Sequence, residues 1–143
     1  MGEGKRMVKT VLMEKYSFNE LEADFFLSHA KERIVKKRQI ISHPEFIAKN
    51  RFFIVKGTFK SYVIDASGNY QVIALGIDGW DITDNPSYFN GLPGTMFIEA
   101  LEDSVVLQLS DQNERLLKKQ SHAYERIFSM LAERNWSTTL SSN

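Results

Sequence analysis

From Arg33 to Ser110 the apolar residues fall in short runs broken by turn formers, a pattern that predicts strands in a sandwich or barrel. The runs are Arg33–Lys36, Gln39–Ser42, Phe52–Lys56, Phe59–Asp65, Tyr70–Leu75, Thr95–Leu101 and Ser104–Leu109. In the last, Val105, Leu107 and Leu109 alternate with Ser104, Val106 and Gln108, which predicts one face on a core and a mainly polar face outward. Between the fourth and fifth runs, Asp65-Ala66-Ser67-Gly68-Asn69 carries the glycine and Asx chemistry of a hairpin loop.

On either side the period lengthens to that of a helix. The opening segment to about Leu27 has a capping box in Ser17-Phe18-Asn19-Glu20, followed by an apolar stripe of Leu21, Phe25 and Phe26. After Ser110, Asp111 with Glu114 caps a helix carrying Leu116 and Leu117. A second stretch from about Ser121 places Tyr124, Ile127, Phe128 and Leu131 at i, i+3, i+4 and i+7, and the stripe points on toward Trp136. Such a stripe packs on the β core or pairs with its twin in a second subunit.

One stretch, Gly76 to Thr95, follows neither period. A loop of roughly 20 residues in a small domain is functional or contains a short helix of its own. Asp84-Asn85-Pro86 predicts that helix, with Asp84 as its cap and Pro in the first turn. Its free N–H groups would suit an anion, and the plain alternative is a capped crossover between strands.

The 143 residues, 43% of them hydrophobic, suffice for one core and not for two independent domains. Lys plus Arg and Asp plus Glu number 18 each, so no bulk field draws the chain to nucleic acid or an anionic membrane. With no cysteine there is neither a disulfide framework nor thiolate chemistry, and no apolar run approaches the roughly 20 residues a bilayer span needs. A cytoplasmic protein is expected. His29, His43 and His122 lie in separate segments without a metal-ligand spacing, so no metal site is expected. No nucleophile elbow, phosphate loop or dinucleotide fingerprint is present, and no catalytic residue can be assigned.

The order of these pieces resembles the sensor domain of Crp/Fnr transcription regulators over about residues 17 to 134. The resemblance is carried by Phe52-Phe53-Ile54-Val55-Lys56-Gly57, the Asp65–Asn69 hairpin, the long insert, and Phe97-Ile98-Glu99-Ala100-Leu101-Glu102-Asp103-Ser104 before a terminal helix. It implies a mainly β, cyclic-nucleotide-binding-like jelly-roll barrel of eight strands with flanking N- and C-terminal helices. It also makes the insert a phosphate-binding cassette and the last helix a dimerisation helix. Residues 1–110 would form the helical lead and barrel, and 111–143 the C-terminal helices, with no helix-turn-helix domain in this chain. DNA would be a partner only through such a domain elsewhere.

In cyclic-AMP-binding members of that family the cassette carries Gly-Glu and, ten residues on, Arg followed by Ser or Thr. Those positions fall on Thr83-Asp84 and Gly94-Thr95. A carboxylate and a hydroxyl are kept and the arginine is gone, a change expected to weaken cyclic AMP binding by a few kcal/mol. The resemblance therefore implies a regulatory ligand-sensing and dimerising module, not an enzyme. Its effector would be a cyclic nucleotide or another small anion, touching Thr83, Asp84, Asn85, Gly94, Thr95 and Tyr124. A homodimer would form through Tyr124, Ile127, Phe128 and Leu131. The alternative is a ligand-free dimerisation or protein-interaction module with a vestigial pocket.

Overall fold

The structure, a computed structural model, describes residues 2–15 and 17–133. The chain runs α1 (Glu3–Lys15), α2 (Glu20–Ser28), β1 (Lys31–Val35), β2 (Ile40–Ser42), β3 (Asn50–Lys56), β4 (Phe59–Ile64), β5 (Tyr70–Gly76), α3 (Asn85–Asn90), β6 (Phe97–Ala100), β7 (Ser104–Ser110), α4 (Asp111–Gln120) and α5 (His122–Glu133). Two antiparallel sheets face each other, one ordered β1-β7-β3 and the other β2-β6-β4-β5. All seven expected strands are present, each displaced by no more than two residues at an end. The result is a two-sheet jelly roll rather than a closed barrel. The eighth strand has a counterpart in residues 79–82, which run beside β3: Ile54 N–H donates to the Trp80 carbonyl and Ile82 N–H to the Phe52 carbonyl.

Side-chain alternation along β3 and β7 divides the interior into two cores. Phe52, Ile54 and Val106 point between the sheets to meet Phe59, Ile98 and Ala100 of the opposite sheet, with Ile82 and Met96. Val55, Leu107 and Leu109 point the other way, into a cluster with Val8, Leu12, Phe26, Leu117 and Phe128 from the helices. The expectation of a polar outer face on β7 is therefore wrong at Val106, which is 0% exposed. The strand lies in the middle layer and is covered on both sides. α4 and α5 share the second core with α1 and α2.

The N-terminal cap lies two residues beyond its expected place. Asn19, not Ser17, caps α2: its Oδ1 accepts from Glu22 N–H at 2.8 Å while its own N–H donates to Glu22 Oε1 at 3.0 Å. Ser17 is spent on the turn, with φ of 59°. Phe18 before the cap and Ala23 on the first turn are both buried, the hydrophobic staple of such a start. This rotates the helix so that Ala23, Phe26 and Leu27 face the core, while Leu21 stands 82% exposed. α4 is likewise capped one residue early, by Ser110 Oγ accepting from Asn113 N–H at 3.1 Å.

Gly57 shows why the turn after β3 ends in glycine. Its φ is 132°, and a Cβ there would sit 2.0 Å from Ser104 Oγ. Its N–H donates to Asp78 Oδ1 at 2.7 Å, tying the turn to the start of the long insert.

Candidate functional site

The insert does fold a short helix, α3, with Pro86 in its first turn and Gly91 closing it at φ of 65°. Asp84 occupies the cap position, yet its side chain does not cap the helix. Its carboxylate instead accepts from Thr95 N–H at 2.7 Å and Thr95 Oγ–H at 2.8 Å, across the base of the insert. The two donors that would cradle an anion at Thr95 already hold one. Asp84 is buried, and the pair joins the two ends of the segment that the sequence singled out.

Gly94 is closed off as well. Its N–H donates to the Phe46 carbonyl at 2.9 Å, and a Cβ at Gly94 would lie 2.5 Å from the His43 carbonyl oxygen. Residues 43–48 are held there by Ala48 N–H donating to Ser87 Oγ at 2.8 Å and by a β-bridge between Ile47 and Pro93. Ser87 Oγ–H in turn donates to the Leu92 carbonyl at 2.6 Å.

Thr83 is buried with its Oγ facing inward, where it accepts from Phe52 N–H at 3.2 Å; its own N–H donates to Asp81 Oδ1 at 2.9 Å. Asn85 opens α3 and is half-buried. Thr83, Asp84, Asn85, Gly94 and Thr95 therefore lie together at the base of the insert. Tyr124 does not join them. Its ring packs in the helical core against Phe18 and Phe26, and its hydroxyl donates to the Glu22 carbonyl at 3.0 Å.

The stripe on α5 turns inward. Tyr124, Ile127 and Phe128 are all buried against α2, β3 and α4 of the same chain. The α5 stripe was legible; the surface it covers is the chain's own. Leu131 lies on α5 with its side chain outside the described residues, and Trp136 lies outside the described residues altogether.

Behind the insert is an ionic cluster that the sequence reading missed. Arg51 on β3, 3% exposed, donates from Nη1 to Asp81 Oδ2 at 2.5 Å and from Nε and Nη2 to the Glu114 carboxylate at 2.6 and 3.2 Å. Tyr88 of α3 donates its hydroxyl to Glu114 Oε1 at 3.0 Å, and Lys118 approaches Glu114 Oε2 at 3.2 Å. The guanidinium lies 5.3–5.5 Å from the ring centroids of Tyr88, Phe89 and Phe128. Burial opposes the Arg51 charge, and Asp81 and Glu114 outweigh it, holding the guanidinium above its ordinary pKa. Burial pushes the Glu114 carboxyl up, and Arg51 with Lys118 overcomes that and holds it below its ordinary value. For Tyr88, burial and the Glu114 charge together raise the phenol. Two cations face two carboxylates, so the cluster is neutral as a whole. The local signal was an arginine beside Phe52-Phe53, which a strand begun at Phe52 leaves out.

A cavity of about 460 Å3 opens between the sheets, where residues 43–49 cross from β2 to β3. It reaches Phe52 on one sheet and Ile98 on the other, and Asp84 forms part of its wall. Among the described residues no group of three or more His, Asp or Glu is placed to hold a metal ion, and no helix is long and apolar enough to cross a membrane.

No protein-family model and no curated protein matches the sequence. Solved structures do match the fold. The sensor domain of the transcriptional regulator DNR from Pseudomonas aeruginosa superposes with a TM-score of 0.72 at 14% identity, covering 99% of this chain and 93% of that one. The Thermus thermophilus catabolite activator protein gives 0.71 at 18% identity over 86% of this chain and 57% of its own length. The regulatory domain of Toxoplasma gondii PKA, solved with cAMP, gives 0.69 at 11% identity, covering 82% of this chain and 46% of that one. The chain thus has the cyclic-nucleotide-binding-like jelly-roll fold, and it spans little more than half of the activator protein.

Proposed function

We propose that the chain is a regulatory sensor domain in which a small effector bound in the jelly roll changes the packing of the C-terminal helices. The observation that carries this reading is the Arg51 cluster. It joins the insert through Asp81, the insert's helix through Tyr88, α4 through Glu114 and α5 through Phe128. A displacement of the insert therefore alters the partners of a buried charge, and α4 and α5 must answer it. The structural neighbours include a transcriptional regulator's sensor domain and a kinase regulatory domain, which supports the class.

The effector is not cyclic AMP in the usual pose. The cassette is degenerate: the arginine position is Gly94, packed under the His43 carbonyl, and Asp84 takes both donors of Thr95. Thermal unfolding with millimolar cyclic AMP or cyclic GMP is expected to show no shift. A ligand at 100 times its Kd would stabilise the fold by about 2.7 kcal/mol, so a rise of several degrees would overturn the closed cassette.

Dimerisation belongs to the same reading. With Tyr124, Ile127 and Phe128 used inside the chain, the two-fold contact falls to Leu131 and the residues after it. Leu131→Asp is expected to convert a dimer to a monomer in sedimentation, and a dimer that survives it moves the contact elsewhere. The chain has no cysteine, so a spin label on Ser129→Cys reports the distance to its twin without background. The closed Asp84–Thr95 pair also favours the second reading, a ligand-free dimerisation module with a vestigial pocket. An inter-label distance that responds to an effector excludes that module.

A further inference from the structure

The helices share their core with β3 and β7 of the three-stranded sheet. The outer face of the four-stranded sheet is open. Ile40, Ile64, Tyr70, Val72 and Leu75 are each between 41% and 68% exposed. They stand on one face, because residues directly opposite on neighbouring strands point the same way. Ile64 pairs with Tyr70, Tyr62 with Val72 and Lys60 with Leu75, while Glu99 pairs with Lys60 on one side and Ile40 on the other. Phe59 and Ser61, the alternate positions of β4, are buried between the sheets. The five residues expose about 500 Å2, as much as the largest apolar patch of a typical monomer.

The charges on this face show what it fits. Lys60 and Glu99 are the only charged residues in β2, β4, β5 and β6. Across the four strands one row reads Ile40, Glu99, Lys60, Leu75: apolar, acidic, basic, apolar. A half-turn about an axis lying along the strands between β6 and β4 exchanges the two halves of that row. It sets Lys60 opposite the Glu99 of a second copy, and Leu75 opposite the Ile40 of that copy. Such a half-turn also keeps the strand directions aligned, the ordinary way for two sheets to pack. Within one chain the ion pair is loose, with Lys60 Nζ 4.0 Å from Glu99 Oε2 and both side chains partly exposed, so each has room for a partner across the contact. A nucleic acid or an anionic membrane would find one cation cancelled by one anion.

We propose that the outer face of the four-stranded sheet docks on the same face of a second copy. Two such faces together bury about 1,000 Å2, the lower limit of a specific contact. The association is therefore weak and appears at high protein concentration. It goes beyond the sensor reading and is separate from the contact assigned to Leu131.

Sedimentation equilibrium of the Leu131→Asp chain, from low micromolar to millimolar concentration, isolates this face. A monomer is expected at the low end and a dimer at the high end. Val72→Lys, at an exposed position, should abolish that dimer without moving the melting temperature. Lys60→Glu and Glu99→Lys each leave two like charges on the face, and each alone should stay monomeric. An equimolar mixture of these two variants should restore the dimer as a mixed pair, which neither misfolding nor general stickiness can produce. A chain that stays monomeric at millimolar concentration overturns the proposal, as does a dimer that survives Val72→Lys or a mixture no more associated than its components.

Discussion

Replacing Arg51 by leucine tests whether the buried cluster holds the insert to the C-terminal helices. The substitution strands two carboxylates behind the insert. Glu114 keeps Lys118 at 3.2 Å and the Tyr88 hydroxyl at 3.0 Å, and Asp81 keeps Thr83 N–H at 2.9 Å. Removing one member of a buried ion pair costs about 3–5 kcal/mol, and the surviving donors place Arg51→Leu near the lower end, about 3 kcal/mol. For a chain of this size each kcal/mol moves the midpoint by about 3–4 °C, so calorimetry should record a fall of about 10 °C.

The pH dependence separates lost charge pairing from lost packing. In the parent, the folded Glu114 carboxyl lies below its ordinary value of 4.5, so its contribution is complete above that value and is lost as pH falls below it through the lower folded value. In the variant, burial without the guanidinium raises the same carboxyl. Stability then declines as pH rises through the raised carboxyl, the opposite slope. Adding Asp81→Asn and Glu114→Gln to Arg51→Leu removes the buried charges together and should restore at least half of the loss. A loss below about 1 kcal/mol, the range of surface pairs, or a variant whose stability still rises with pH, would refute the reasoning.

Gly94→Arg should not create a cyclic-nucleotide site: its Cβ meets the His43 carbonyl at 2.5 Å, so the melting temperature falls and calorimetry with cyclic AMP stays silent. Asn19→Ala removes a capping box whose two bonds measure 2.8 and 3.0 Å and should cost about 1 kcal/mol in urea unfolding. Asp84→Ala frees the Thr95 N–H and hydroxyl, and hydrogen exchange at Thr95 should quicken relative to the parent.

Sequence pattern located what depends on neighbours along the chain. The seven strands follow from their apolar runs, and α3 from Asp84-Asn85-Pro86. Features set by distant partners were illegible. Asp84 reads locally as a helix cap and is turned away from that role by Thr95, 11 residues on. Val106 reads as an outward position because a single strand does not say how many layers cover it. Arg51 meets Asp81 and Glu114 at separations of 30 and 63 residues, which leaves no motif at all. The α5 stripe was plain, while the α2 face it packs against was not, because Asn19 rather than Ser17 caps α2.

The helical core draws on both ends of the chain, and this has a kinetic consequence. Tyr124 donates to the Glu22 carbonyl across a separation of 102 residues, and Val8, Leu12 and Phe26 share one cluster with Leu117, Ile127 and Phe128. During synthesis the first two helices emerge well before their partners, and loop-closure entropy must be met before those contacts form. Their apolar faces stay open to wrong associations until α5 is released, which makes this face of the middle sheet the last to close.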